Sequence, residues 1–247
     1  MFKKSMASKE YFDPNTAESL ADVLYELGKD LLGKQQFSIA VKWLDRAGEV
    51  LGAQELDRLS MDATELRTSI TESRIKGLLG LKDPAATEKA RDLVDALEQE
   101  NGDKLIVLLL RLELLSSATN EVFDSTSYSD ILRRMTLSMQ LTESNFKLIM
   151  YHIRKLKDKN PSLACRALDE LIQLRILRVD DNEGWVEKAV VTRLWMAVGQ
   201  RDIPESLDTL ETVLSAIVDN LEKPVSSAAT QAAHTVSQYL KHPIDRH

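Results

Sequence analysis

Eight residues between Ala21 and Gln54 constrain this chain more than any others: Leu24, Leu27, Gly28, Leu31, Phe37, Ala40, Leu44 and Ala47. Leu24, Leu27 and Leu31 recur at three- and four-residue steps, which places them on one helical face. Gly28 removes a side chain where a second helix must come close. Gly33-Lys34-Gln35-Gln36 interrupts the pattern, and Phe37, Ala40, Val41, Leu44 and Ala47 begin a second apolar face. So short a connection makes the two helices antiparallel. Ala40 and Ala47 are the small residues expected against the first helix, whereas Trp43, Leu44 and Val50 are expected beside the next pair. One such pair cannot bury both of its apolar faces, so the pattern predicts further pairs stacked on it.

Residues 1–15 mix Lys, Ser, Met, Tyr and Asp without a period and form a lead-in, with Asn15-Thr16 as the expected cap of the first helix. Leu56, Leu59, Ala63, Leu66, Ile70, Ile75, Leu78 and Leu79 keep a helical period over about 25 residues free of proline. Asp83-Pro84 and Asn160-Pro161 each read as an N-cap followed by a first-turn proline. The first leads into Ala86, Ala90, Leu93, Val94 and Leu97, the second into Leu163, Ala164, Ala167, Leu168, Leu171, Ile172 and Leu174. Asn101-Gly102-Asp103 separates the helix before it from the leucine-rich run Leu105 to Leu115, which is too long and too poor in β-branched residues for a strand.

Residues 119–129 are the expected loop, and Ile131, Leu132, Met135, Leu137, Met139 and Leu141 mark the helix after it. Thr142-Glu143-Ser144 opens a helix with Phe146, Ile149, Met150, Ile153 and Leu156 on one face and Lys147, Tyr151, Arg154 and Lys155 on another. After the polar stretch Asp180 to Gly184 comes a helix through Trp185, Val186, Ala189, Val190, Leu194, Trp195 and Val198, ending near Gly199. Ile203, Ser206, Leu210 and Val213 then repeat the spacing of Phe37, Ala40, Leu44 and Ala47, and an Ala-rich helix from about Val225 to Leu240 closes the chain as a cap or as half of a further pair.

Composition excludes several functions. The 247 residues are 43% hydrophobic and 29% charged with only 9 Gly and 6 Pro, as expected of an ordered, helix-rich chain. A net charge of -7 opposes general attraction to phosphate backbones or anionic membranes, so neither nucleic acid nor membrane is an expected partner. No apolar run approaches the roughly 20 residues that span a bilayer. The one cysteine, Cys165, forms no internal disulfide and reads as a small core residue in a reducing compartment. His152, His234, His242 and His247 lack a second ligand at metal-binding spacing, and His152 is expected at the surface. Carboxylate pairs such as Asp180-Asp181 and Glu98-Glu100 are expected on solvated helix ends. No phosphate-cradling loop or nucleophile elbow is present. The expectation is a protein without catalytic residues, cofactor, metal or small-molecule substrate.

The spacing of the opening pair resembles a tetratricopeptide (TPR) repeat, although Ala40 and Ala90, the best-matched small residues of successive pairs, are 50 apart instead of 34. The fold class expected is all-α: a right-handed superhelical array of antiparallel helix pairs, a TPR-like α-solenoid of about 11 helices. One such domain covers 16–241, followed by a tail at 242–247. Grooves of such arrays bind extended peptides or partner helices. On the opening pair the groove-facing positions are Asp22, Tyr25, Lys29 and Leu32. Lys147, Tyr151, Arg154 and Lys155 form a basic face suited to an acidic or phosphorylated partner segment, or simply a solvated one. Tyr25 stands where a clamp for a terminal carboxylate needs Asn one turn before Lys29, which argues against a chaperone-tail receptor.

The segments LADVLYELGKDLLGKQQFSIAVKWLDRAGEVL, TELRTSITESRIKGLLGLKD and KARDLVDALEQENGDKLIVLLLRLELL, with Trp43 in AVKWLDRA, resemble the fungal meiotic TPR scaffolds of the sporulation and synapsis-initiation (Spo/Zip-type) family over about residues 20–220. That resemblance implies a nuclear, chromosome-associated scaffold that holds other crossover proteins and supports synaptonemal complex assembly. It transfers no individual binding residue. Members of that family are much longer, which suggests an N-terminal fragment or a shortened relative. A general TPR adaptor for chaperones or transport, and a helical accessory domain of a larger protein, are the other readings compatible with the pattern.

Overall fold

The computed structural model describes residues 13–55, 58–117, 123–178 and 183–200, with positions 211 and 215 beyond them. Among these residues there are nine α-helices and no strand. They are α1 (Pro14–Gly33), α2 (Phe37–Gly52), α3 (Met61–Gly80), α4 (Pro84–Asn101), α5 (Leu105–Ser117), α6 (Ser125–Ser138), α7 (Glu143–Lys157), α8 (Pro161–Leu174) and α9 (Glu183–Gly199), with a 3-10 turn at Ile176–Arg178. The fold is all-α, with helices packed consecutively against their neighbours as in an α-solenoid. The helices expected after Pro204 and from Val225 lie outside the described residues.

The chain divides into two compact units, Met1–Gly102 with Leu109–Glu121, and Asp103–Leu108 with Val122–His247. In the first, α1 packs on α2, α2 on α3 and α3 on α4, and α1 also reaches α3. Glycine sets how closely these helices approach. A Cβ on Gly28 of α1 would lie 2.6 Å from Cγ of Leu44, one on Gly77 of α3 would lie 2.8 Å from Cγ2 of Val41, and one on Gly80 would meet the Phe37 ring at 2.5 Å. Leu44 therefore packs down onto α1, not outward beside the next pair as expected. The large residues α2 offers to α3 include Phe37, Val41 and Leu51, and Val50 packs, as expected, on the cluster that holds Ile70 of α3. Ala40, Leu44, Ala47 and Leu51 are all buried, whereas Leu27 is 39% exposed: the burying side of α1 is Ala17, Ala21 and Gly28.

Helix starts follow local capping chemistry. The hydroxyl of Ser60 accepts from Ala63 N at 3.1 Å, a carboxylate oxygen of Asp83 from Ala86 N at 2.9 Å, Thr142 from Asn145 N at 3.2 Å and the Asn160 amide oxygen from Leu163 N at 3.2 Å. Three expectations shift. The first helix begins at Pro14 after Asp13, so Asn15 and Thr16 are helical residues and not its cap. The helix expected from Leu56 starts at Met61, because the Ser60 cap is held from α1 by Glu18, whose carboxylate accepts from Ser60 N and Oγ at 2.8 Å each. Residues 125–129 of the expected loop are helical, because Asp124 accepts from Thr126 N at 3.1 Å and Ser127 N at 3.0 Å and so starts α6 there. Its Tyr128 is fully buried.

Gly102 ends α4 with φ +59°, a conformation natural to glycine. The leucine run is helical, and Val107, Leu108, Leu110, Leu112 and Leu114 of α5 are buried. Arg111 pairs with Asp95 at 2.5 Å and donates through Nε to Glu98 at 2.7 Å. Glu98 is thus a largely buried interhelical partner and not a solvated end residue, because α5 brings a guanidinium to it.

In the second unit α6 packs on α7 and α8, α7 on α8, and α8 on α9. Phe146, Ile149, Met150, Ile153 and Leu156 of α7 are all buried, as their spacing predicts, and Cys165 lies in the core of α8. On α9, Val186, Ala189, Val190 and Leu194 are buried, but Trp195 is 68% exposed. Its place in the buried face is taken by Arg193.

Candidate functional site

Three polar or aromatic arrangements are built into the second unit. Arg193 of α9 donates to Asp169 of α8 through Nε at 2.8 Å and Nη2 at 3.2 Å, with both side chains almost wholly buried. This two-point fork suits a planar guanidinium. Burial pushes the Asp169 carboxyl above its usual range, while Arg193 pulls it down. His152 of α7 is half-buried, and its Nδ1 lies 2.7 Å from the hydroxyl of Tyr128. Burial, helped by the charge of Lys155, lowers its pKa to about 4, so the ring is neutral near pH 7 while Nδ1 and the tyrosine hydroxyl share one hydrogen bond. His152 is therefore a packed structural group and not a surface residue. Phe146 stacks on Trp185 with ring centroids 6.2 Å apart and planes at 23°, which ties α7 to α9.

Beyond these, α7 turns its polar side outward. Tyr151 is 59% exposed, Lys147 and Arg154 are exposed and Lys155 is half-buried. Lys147 bridges Glu143 one turn earlier at 2.6 Å, a solvent-exposed pair that contributes little to stability. Tyr151 stands edge-on to His152 at 5.1 Å between centroids. The four expected residues thus share one ridge. Arg154, Lys155 and Lys157 also fill the last turn of α7, where cations complement the helix dipole, which is the bland account of their presence.

On α1 the four expected residues are used differently. Asp22 is exposed, and Lys29 lies 5.4 Å above the Tyr25 ring while bridging Glu26 at 3.1 Å. Tyr25 packs against the cluster of Ala21, Ala47, Leu51 and Ile70. Leu32 reaches to 3.2 Å from where a Cβ on Gly77 would lie. Tyr25 and Leu32 therefore serve the packing of the first unit, leaving Asp22 and Lys29 as its solvent-facing members.

Sequence reasoning missed the Asp169–Arg193 and Tyr128–His152 contacts. A signal for the first was present: Arg193 lies in step with Val186, Ala189, Val190 and Ala197, and Asp169 with Cys165, Leu168 and Ile172, so each charge occupies an apolar stripe. No group of three or more metal-ligating side chains occurs among the described residues, and none of their helices is long and apolar enough to cross a membrane.

These features define an all-helical protein of serially packed helix pairs whose polar clusters join helices to one another. Over residues 1–236 it matches the family described as Meiosis protein SPO22/ZIP4 like, and it belongs to that family. No curated protein and no solved structure gives a significant match.

Proposed function

We propose that this chain is a non-enzymatic scaffold that holds partner proteins during meiosis, supporting crossover formation and synaptonemal complex assembly on chromosomes in the nucleus. Membership of the meiosis family carries this reading. The helical architecture supports it, since stacked helix pairs present long surfaces to other proteins. The partner-binding residues on the second unit are Lys147, Tyr151, Arg154 and Lys155, where an exposed aromatic ring among cations suits an acidic or phosphorylated segment. On the first unit, Asp22 and Lys29 with Tyr25 and Leu32 behind them line the corresponding surface.

The test is affinity purification of the full-length protein from meiotic and from vegetative cells, alongside a Lys147→Glu/Arg154→Glu/Lys155→Glu variant. Crossover and chromosome-axis proteins recovered in meiosis only, and lost with the variant, support the scaffold and the face together. Equal recovery of chaperones or transport factors in both states refutes the meiotic role.

A further inference from the structure

Glu170 of α8 is held from two helices at once. Its Oε1 accepts from Nε of Arg166, one turn earlier on the same helix, at 3.2 Å. Its Oε2 lies 3.8 Å from Nε of Arg133 on α6, which packs directly against α8. The three side chains are graded in depth: Glu170 is 23% exposed, Arg133 57% and Arg166 69%. The carboxylate is therefore sunk between two guanidiniums that stand in solvent. Both are engaged through Nε, and no hydrogen bond from an Nη nitrogen of either arginine forms among the described residues. One carboxylate cannot neutralise two cations. What remains is a net positive charge with N–H donors aimed by a common anchor, so less side-chain freedom is lost when an anion binds.

We propose that Arg133 and Arg166 clamp a phosphorylated side chain of a partner protein between them, at a second site that uses no residue of the α7 ridge. A phosphate monoester carries about two negative charges near neutral pH and three strong acceptor oxygens. It can accept from both guanidiniums and still outweigh the repulsion of Glu170. A carboxylate, with one charge and two oxygens, satisfies one guanidinium fork and leaves the other in water. The pair therefore selects phosphate over carboxylate. Leu137, four residues after Arg133 on α6 and 52% exposed, offers an apolar contact beside the clamp for an apolar residue of the same partner segment. Asp130, exposed three residues before Arg133, brings an opposing charge at the other end and weakens the hold on any anion.

The test uses the full-length chain carrying Lys147→Glu/Arg154→Glu/Lys155→Glu, so that the outcome is independent of whether the α7 ridge binds anything. Fluorescence anisotropy at about 0.15 M salt compares three labelled peptides. One has a single phosphoserine followed by leucine; the others have aspartate or serine in place of the phosphoserine. The phosphopeptide is expected to bind at least about tenfold more tightly than either. Adding Arg133→Gln/Arg166→Gln should abolish that preference, whereas adding Asp130→Asn instead should tighten phosphopeptide binding, a gain that no loss of folding can mimic. Equal binding of the three peptides, or a preference that survives removal of both arginines, overturns the proposal. So does failure of Asp130→Asn to tighten binding, or a short single-stranded oligonucleotide that competes as well as the phosphopeptide.

Discussion

At the scale of single residues, the opening pair depends on a missing side chain. A Gly28→Ala methyl would meet Leu44 Cγ at 2.6 Å and Cδ2 at 2.7 Å, and these atoms sit at the branch of a fully buried leucine with little room to turn. The expected cost is about 1 to 3 kcal/mol from overpacking. Leu44→Ala alone costs about 2 to 5 kcal/mol through lost burial and the cavity left behind. In the double variant the new methyl enters that cavity, so chemical denaturation should show a combined loss smaller than the sum. Strict additivity would mean that the two residues do not touch. His152 makes a prediction of a different kind. Its folded pKa of about 4 lies below the unfolded value of 6.5, so below pH 6.5 the unfolded chain binds the proton more readily. The contribution is fully present above pH 6.5, fades as pH falls toward 4, and is gone below that. Allowing for the ring's partial exposure, it is worth about 1 to 2 kcal/mol. The groups facing it are Tyr128 from α6 and Tyr151 and Lys155 from α7. In His152→Asn, whose amide does not titrate, stability measured across pH 7 to 4 should decline less steeply than in the parent.

Between elements, arginine recurs as the tie. Arg74 of α3 pairs with Asp45 of α2 at 2.6 Å, Arg67 of α3 with Glu100 of α4 at 3.2 Å, and Arg111 of α5 with Asp95 and Glu98 of α4. The exposed members contribute little, whereas the buried Arg193–Asp169 fork is a different matter. Asp169→Ala leaves a guanidinium in an apolar interface and should cost about 3 to 5 kcal/mol. Replacing both partners, Asp169→Leu with Arg193→Met, should recover most of that loss in a denaturation series, because the desolvation of two charges disappears with them. A double variant as unstable as the single one would show that the pair specifies how α8 and α9 meet. The same helices show what sequence reasoning reaches. The α7 stripe from Phe146 to Leu156 and the caps at Asp83, Thr142 and Asn160 were legible, because helical period and capping act within a few residues. Trp195 was misassigned because hydrophobicity alone put it inside, whereas rotation of α9 is set by what α8 offers, and α8 offers Asp169 to Arg193. The candidate site was legible as a cationic ridge on one helix. The burial of Tyr25 and Leu32 was not, since it depends on α3, whose Gly77 lies 45 residues beyond Leu32.

For the whole molecule, charge decides which partners are admissible. The net charge of -7 gives duplex DNA no long-range attraction, and at physiological salt the Debye length of about 8 Å confines each charged face to its own surroundings. α7 then acts as a local cation source, with four basic residues against one acidic within its 15 residues. Such a patch is too small to offset the whole chain along a phosphate backbone, where affinity grows with the number of phosphates neutralised. On the proposed reading it fixes a short acidic segment by two or three charge-assisted hydrogen bonds. The expectation is that the full-length protein, at about 0.15 M salt, shows no shift of duplex DNA yet binds acidic or phosphorylated peptides. That peptide affinity should weaken as salt is raised and fall by about tenfold or more in Lys147→Glu/Arg154→Glu/Lys155→Glu, equivalent to about 1.4 kcal/mol. Fluorescence anisotropy with matched acidic and neutral peptides measures both. DNA binding that survives physiological salt would assign the α7 ridge to nucleic acid. Peptide binding indifferent to both salt and charge reversal would move the partner surface off α7 altogether.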